Sequence, residues 1–356
     1  MWRNFEEKQN EAGSLKGATC EFCFCTSHNT LCFFSFAFLH FCHFFFGLFM
    51  STNGTVIDPT EVLSAYGYVP TRAVAVIFLI LFGMSTAAHL GQAIWFRMWW
   101  LIPTAVLCGL GELVGWSGRY WSSFNPAAAN PYMMQITTTI IAPTPLIAVN
   151  FIVLGRIIRR LGPCYSRLSP RAYTRIFLSC DLIALVIQGA GGGIAASANS
   201  ANPNYITTQN LGGHIMLVGI IFQFVALCTY SFFGIDFVRH YHASRPVRAM
   251  ISSDERGEMT TRVRLMLWAL VLSTSVLFVR SVYRIIELAD GWTGTVITTQ
   301  VYFNLFDGGM VITAIWAMNI AHPGLLLGRE SGLEAKDSEK ELLKLGSANS
   351  SHTNFV

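Results

Sequence analysis

Long apolar runs alternate with short polar stretches over most of this chain. The runs cover about 73–95, 99–120, 132–155, 176–197, 211–237, 265–288 and 298–321. A helix rises about 1.5 Å per residue, so a run of ~20 apolar residues crosses the hydrocarbon core of a bilayer. A segment in lipid must satisfy its own backbone hydrogen bonds, which a helix does. The pattern therefore predicts an all-α membrane protein, a bundle of seven transmembrane helices.

The polar stretches between the runs predict its direction. Residues 156–175 carry Arg156, Arg159, Arg160, Arg167, Arg171 and Arg175 and no acid. Residues 239–264 carry six arginines against three acids. The stretches "WSSFNPAAAN" and "SANSANPNYITTQN" carry no charge. Arginine-rich loops stay in the cytoplasm, which puts the N-terminus outside and the C-terminus in the cytosol. Residues 50–72 then form an extracellular segment, 73–323 the seven-helix domain, and 324–356 a cytosolic tail. The tail mixes charges with Ser and Gly and reads as disordered or weakly helical. Asn53-Gly54-Thr55 is a glycosylation sequon on the expected outer side. Trp99, Trp100, Trp121 and Trp292 fall at span borders, where an aromatic belt is expected.

Composition agrees. Apolar residues make up 53% of 356 and charged residues 12%, about half the charged share of a soluble domain. Residues 1–49 do not fit the rest. Residues 20–50 hold five of the nine cysteines and eleven of the 27 phenylalanines. Phe, Leu, Ser, Cys and His codons are pyrimidine-rich, as in non-coding sequence read in frame. The expectation is a spurious N-terminal extension, with Met50 as the real start.

Several functions are excluded or disfavoured. No phosphate-binding G-x-x-x-x-G-K-[ST] loop occurs, and no nucleic-acid motif. All five lysines lie near the termini, so no span offers a lysine for a Schiff base. Metal chemistry needs ligands at one depth; His89 and His322 fall near the inner face, and His214 near the outer end of the fifth span. No metal, cofactor or enzymatic activity is expected.

The polar residues inside the spans carry the functional signal. Arg280, Arg284 and Glu287 are spaced i, i+4, i+7, with Tyr283 beside them, on one face of the sixth span. Glu112 and Arg119 share a face of the second span, and Asp307 lies in the seventh. Each charge left unpaired in a bilayer costs about 2.5–3.5 kcal/mol. These residues must pair or line water, and they are the candidate substrate and translocation pathway. A second, deeper set comprises Gln135, Asp181, Gln188, Gly189, Gly219 and Gln223. Glycines allow close helix approach and amides bond across it, so this set reads as packing and polar core. Pro143 and Pro145 are expected to kink the third span and free backbone carbonyls.

These motifs resemble those of the fungal lipid-translocating exporter family. The resemblance rests on "YGYVPTRAVA" (66–75), Glu112, Gly115 and Arg119 as E-x-x-G-x-x-x-R, and Tyr132, Gln135, Ala142 and Pro143. It continues through Asp181, Gln188 and Gly189 as D-x-x-x-x-x-x-Q-G, "RSVYRIIE" (280–287), Asp307 and "NIAHPG" (319–324). Gln300 stands where an acid is expected. The resemblance implies a seven-span protein that moves amphipathic lipids, such as sphingoid long-chain bases or aminated sterols, and confers resistance to toxic ones. Its membrane would be the plasma membrane or the vacuolar one. The competing reading is a seven-span lipid-sensing receptor. Against it, span three ends in "LGRIIRR" rather than an acid–Arg pair, and span seven has "NIAHP" rather than N-P-x-x-Y.

Overall fold

The computed structural model describes residues 66–198, 203–248 and 256–328. Asn53, the extension over 1–49 and the tail beyond 328 lie outside the described residues. Seven helical spans cover Arg72–Trp95, Trp99–Ser122, Ala129–Leu161, Pro170–Ala196, Tyr205–His242, Thr261–Asp290 and Gln300–Leu326. Most are longer than the apolar runs that predict them, because their polar ends continue the helix. Among the described residues there is no strand.

Local chemistry sets the helix limits. Ser169 precedes Pro170, and its hydroxyl accepts from the Ala172 N–H at 3.2 Å. Thr260 does the same for Val263 at 3.4 Å. Each side chain satisfies an orphan donor of a first turn. Gly162 (φ 131°) ends span 3 and Gly291 (φ 82°) ends span 6, both in backbone that L side chains avoid.

The two arginine-rich connections meet at one end of the bundle. Val247 N–H donates to the Cys164 carbonyl at 2.9 Å, and Gly257 N–H to the Leu161 carbonyl at 2.9 Å. Arg167 pairs with Asp236 at 2.8 Å, and Arg248 donates to the Arg167 carbonyl.

Three features position the site. The first is a break in span 3, whose helix stops at Ile141 and resumes at Thr144. Pro143 has no N–H, so it leaves the Thr139 carbonyl, four residues back, without its helical donor. The second is π-helical winding in span 2 (Ile102–Val106) and in span 7 (Phe303–Gly309), a geometry found often at functional sites. The span 7 segment contains Asp307. The third is the close pairing of spans 4 and 5. A Cβ on Gly191 would fall 2.6 Å from Met216 N, and one on Gly212 would strike the backbone of span 4. A Cβ on Gly219 would meet Gln188.

Gly189 departs from its expected packing role. Nothing lies within 4 Å of where its Cβ would stand, because the contact face runs through Gly191 and Ala195 instead. Gly189 lines an open groove of about 480 Å³ between spans 3 and 4, with Met134, Thr137, Thr138 and Gly193.

Polarity is inverted relative to a soluble protein. Large apolar side chains such as Ile80, Leu182, Val186, Val225 and Phe232 face outward, as lipid requires. The charged groups Glu112, Arg119, Asp181, Arg280, Arg284, Glu287 and Asp307 lie inside. Trp99 and Trp121 are exposed at span ends. Trp100 instead covers the Arg156 guanidinium, 4.6 Å from ring centroid to Cζ, and Trp292 packs on Tyr132.

Candidate functional site

The charged residues of spans 2, 6 and 7 meet in the half of the bundle away from the arginine-rich connections. Asp307 is fully buried between two guanidinium groups. Arg284 reaches it with two parallel bonds, Nε to Oδ1 at 2.8 Å and Nη2 to Oδ2 at 2.7 Å. This bidentate geometry is the strong form of the pair. Arg280 Nε lies 2.9 Å from Oδ1, within ion-pair range but off the line of a hydrogen bond. Glu287 takes Arg284 Nη1 at 2.6 Å and the Tyr283 hydroxyl at 2.8 Å.

Span 3 completes this network from its break. Arg280 Nη2 donates to the Thr139 carbonyl at 2.6 Å and reaches the Ile140 carbonyl at 3.4 Å. The guanidinium thus replaces the donor that Pro143 lacks, and sits at a helix C-terminus where a cation is favoured. Arg284 Nη2 also donates to the Thr139 hydroxyl at 2.8 Å.

Two residues expected in the shared cluster behave differently. Arg119 is buried but pairs with no acid among the described residues. It donates to the Tyr68 hydroxyl at 2.8 Å. Four rings surround its Cζ: Phe303 at 4.5 Å, Tyr66 at 5.4 Å, Tyr68 at 5.5 Å and Trp116 at 5.7 Å. Ring quadrupoles, rather than a carboxylate, hold this cation. The Trp116 ring fits because residue 308 is glycine; a Cβ there would fall 2.5 Å from it.

Glu112 is the other. It is fully buried, beside Asp307, Arg280 and Arg284. Yet neither carboxyl oxygen has a hydrogen-bond partner. The Trp116 indole, one turn on, is near enough to interact but is not aligned into a hydrogen bond.

A family model described as "RTA1 like protein" matches residues 105–330, more than half of the chain. The chain belongs to this RTA1-like family. Its relatives include the "Sphingoid long-chain base transporter RSB1" of Saccharomyces cerevisiae, 26% identical over 293 residues, 75% of each chain. The "Lipid-translocating exporter-like protein RTA1" of Leptosphaeria maculans is 25% identical over 75% of this chain and 52% of its own. The "Protoporphyrin uptake protein 1" of Saccharomyces cerevisiae is 24% identical over 72% of this chain and 90% of its own. No solved structure matches.

In this RTA1-like chain the deeper polar set forms a separate relay. Gln188 donates to Gln223 at 3.0 Å, and Gln223 donates to Asp181 at 3.2 Å. This joins spans 4 and 5 beside Gly219. Gln135 lies elsewhere, in span 3, where its amide reaches Thr139 at 3.4 Å. Gln300 exchanges hydrogen bonds with Thr71, its amide donating at 2.9 Å, and so ties span 7 to the start of span 1.

Sequence reasoning missed several residues. Thr139 is the hub between span 3 and both arginines; Pro143 four residues on was the signal. Tyr68 holds Arg119, and only its place beside Tyr66 hinted at a role. Asn150 joins spans 3, 5 and 6 through Ser273, Thr274 and the Tyr230 hydroxyl. An asparagine in an otherwise apolar run was a legible sign.

Proposed function

We propose that this protein translocates amphipathic lipids bearing a cationic amine head, in the manner of sphingoid long-chain bases or aminated sterols, and so protects the cell from them. The observation that carries this reading is Glu112. Asp307 and Glu287 are saturated by Arg280, Arg284 and Tyr283, so they hold the site's shape. Glu112 keeps both oxygens free of hydrogen bonds in the interior, where an ammonium is the fitting partner. Relatives named as a sphingoid-base transporter and a lipid-translocating exporter support the substrate class.

The alkyl tail would stay on the lipid side, along the groove over Gly189 and Gly193. The first half of span 3 is the wall between groove and cluster. It turns Thr137 and Thr138 to one and Thr139 to the other. Glu112 is sealed in this conformation, so loading requires the bundle to open around it. The π-helical turns that end six residues before Glu112 and surround Asp307 are the natural places for that adjustment. The arginine-rich loops would lie in the cytosol, the Glu112 half of the bundle toward the outside, and the protein in the plasma membrane.

The test is transport of labelled sphinganine, an aminated sterol and uncharged ceramide in liposomes holding only this protein. Movement of the two amines but not ceramide is expected, lost on Glu112→Gln at unchanged protein level. Equal transport by Glu112→Gln overturns the headgroup role. Binding without transport favours a lipid sensor.

A further inference from the structure

The buried ionic set closes without Glu112. Arg280 and Arg284 are balanced one for one by Asp307 and Glu287, each acid in contact with at least one of them. Arg280 also caps the C-terminal carbonyls of the first half of span 3, which bring further partial negative charge. An ionised Glu112 would add a third carboxylate against two guanidinium groups, with no donor on either oxygen. A buried charge without a hydrogen bond costs far more than a buried neutral polar group.

The surroundings supply no other counter-charge at contact. From its own helix Glu112 has Cys108 and Trp116 as neighbours. Arg119 is seven residues on, about 10 Å along the axis, and is engaged by four rings. Span 6 presents Arg280 and Arg284, and span 7 presents Asp307. Span 1 meets this helix through Phe78 and Thr86; its histidine, His89, turns to the Ile315 carbonyl. Span 3 meets it through Gln135, Thr139 and Ala142, and its Tyr132 packs on Tyr66 and Trp292.

We propose that Glu112 carries an exchangeable proton that the amine head displaces, making this RTA1-like protein a proton–amine exchanger. In the step, a lipid ammonium enters with its own protons and the carboxyl O–H bond of Glu112 breaks. The electron pair stays on the oxygen, the resulting carboxylate forms an ion pair with the ammonium, and one proton leaves to water. Charge in the buried set is the same before and after, so neither the empty nor the loaded site carries an uncompensated carboxylate. This rests on the amine reading above and adds its coupling ion. No nucleotide is needed, because a membrane more acidic on the outer side drives amine outward.

Two measurements test it. Infrared spectra of the purified protein should show a protonated-carboxyl C=O band, shifted in deuterated water, that Glu112→Gln removes. Asp181 is the control, since its Oδ2 is also without a partner; the Glu112 component should survive Asp181→Asn. Sphinganine is then titrated into weakly buffered protein with a pH indicator, and about one proton should be released per amine bound. Glu112→Gln should release none. A band unchanged by Glu112→Gln, or amine binding with no proton release, overturns the exchange. A Glu112 band with no amine binding overturns the amine reading and the exchange with it, and leaves only a buried acid.

Discussion

Asp307→Asn should damage the fold far more than Glu112→Gln, although both remove one buried carboxylate. Asp307 makes two hydrogen bonds to Arg284 and an ion-pair contact to Arg280. Charge-assisted hydrogen bonds contribute roughly 1.5–3 kcal/mol each, and an asparagine retains one acceptor. Its amide also turns a donor toward a guanidinium. The net loss should be about 3–5 kcal/mol, the usual range for breaking a buried pair from one side. Glu112 has no hydrogen bond to lose, so its amide should cost under about 1 kcal/mol, within the range of benign substitutions. Thermal unfolding in one detergent, with tryptophan fluorescence as readout, separates the two. At about 2–4 °C per kcal/mol, Asp307→Asn should melt on the order of 10 °C lower, and Glu112→Gln within a few degrees of the parent. A double-mutant cycle with Arg280→Met should show coupling of about 0.5–3 kcal/mol to Asp307 and little to Glu112. Equal melting of the two variants would refute the assignment of Asp307 as the structural carboxylate and Glu112 as the free one.

Other outcomes follow from the helix packing and, for orientation, from the sequence. Gly191→Ala should destabilise by about 1–3 kcal/mol through overpacking against span 5, whereas Gly189→Ala should be neutral or stabilising by up to about 1 kcal/mol, since it gains helix propensity and meets no neighbour; paired melts check this. Arg119→Gln should lower stability by about 0.5–2 kcal/mol, the cation–π range, because it removes the cation that the four rings hold; denaturation beside Arg280→Gln gives the comparison. A cysteine placed in the 239–264 loop should resist an impermeant label on intact cells and react after lysis, and a glycosidase should shift the protein unless Asn53 is replaced. Ready labelling from outside would reverse the proposed orientation.

The apolar periodicity was enough to determine seven helices, because a bilayer demands the same span length whatever the neighbours are. Arginine placement was enough to set two loops at one end. The i, i+4, i+7 spacing of Arg280, Arg284 and Glu287 put them on one face by helix geometry alone. The sequence also marked Pro143 as a break. It could not say who would use the carbonyl that the break frees, since Thr139 and Arg280 are 141 residues apart. Nor could it separate Glu112 from Asp307, or Arg119 from Arg284, which look alike along the chain. Partner choice depends on depth, rotation and the π-helical turns, which re-aim a side chain without changing the apolar pattern. Gly189 and Gly191 are alike in sequence for the same reason. A two-residue step turns about 200° around a helix, so one glycine meets span 5 and the other lines the groove. Pattern within a helix is a local property; which charge finds a partner is settled only when the helices pack.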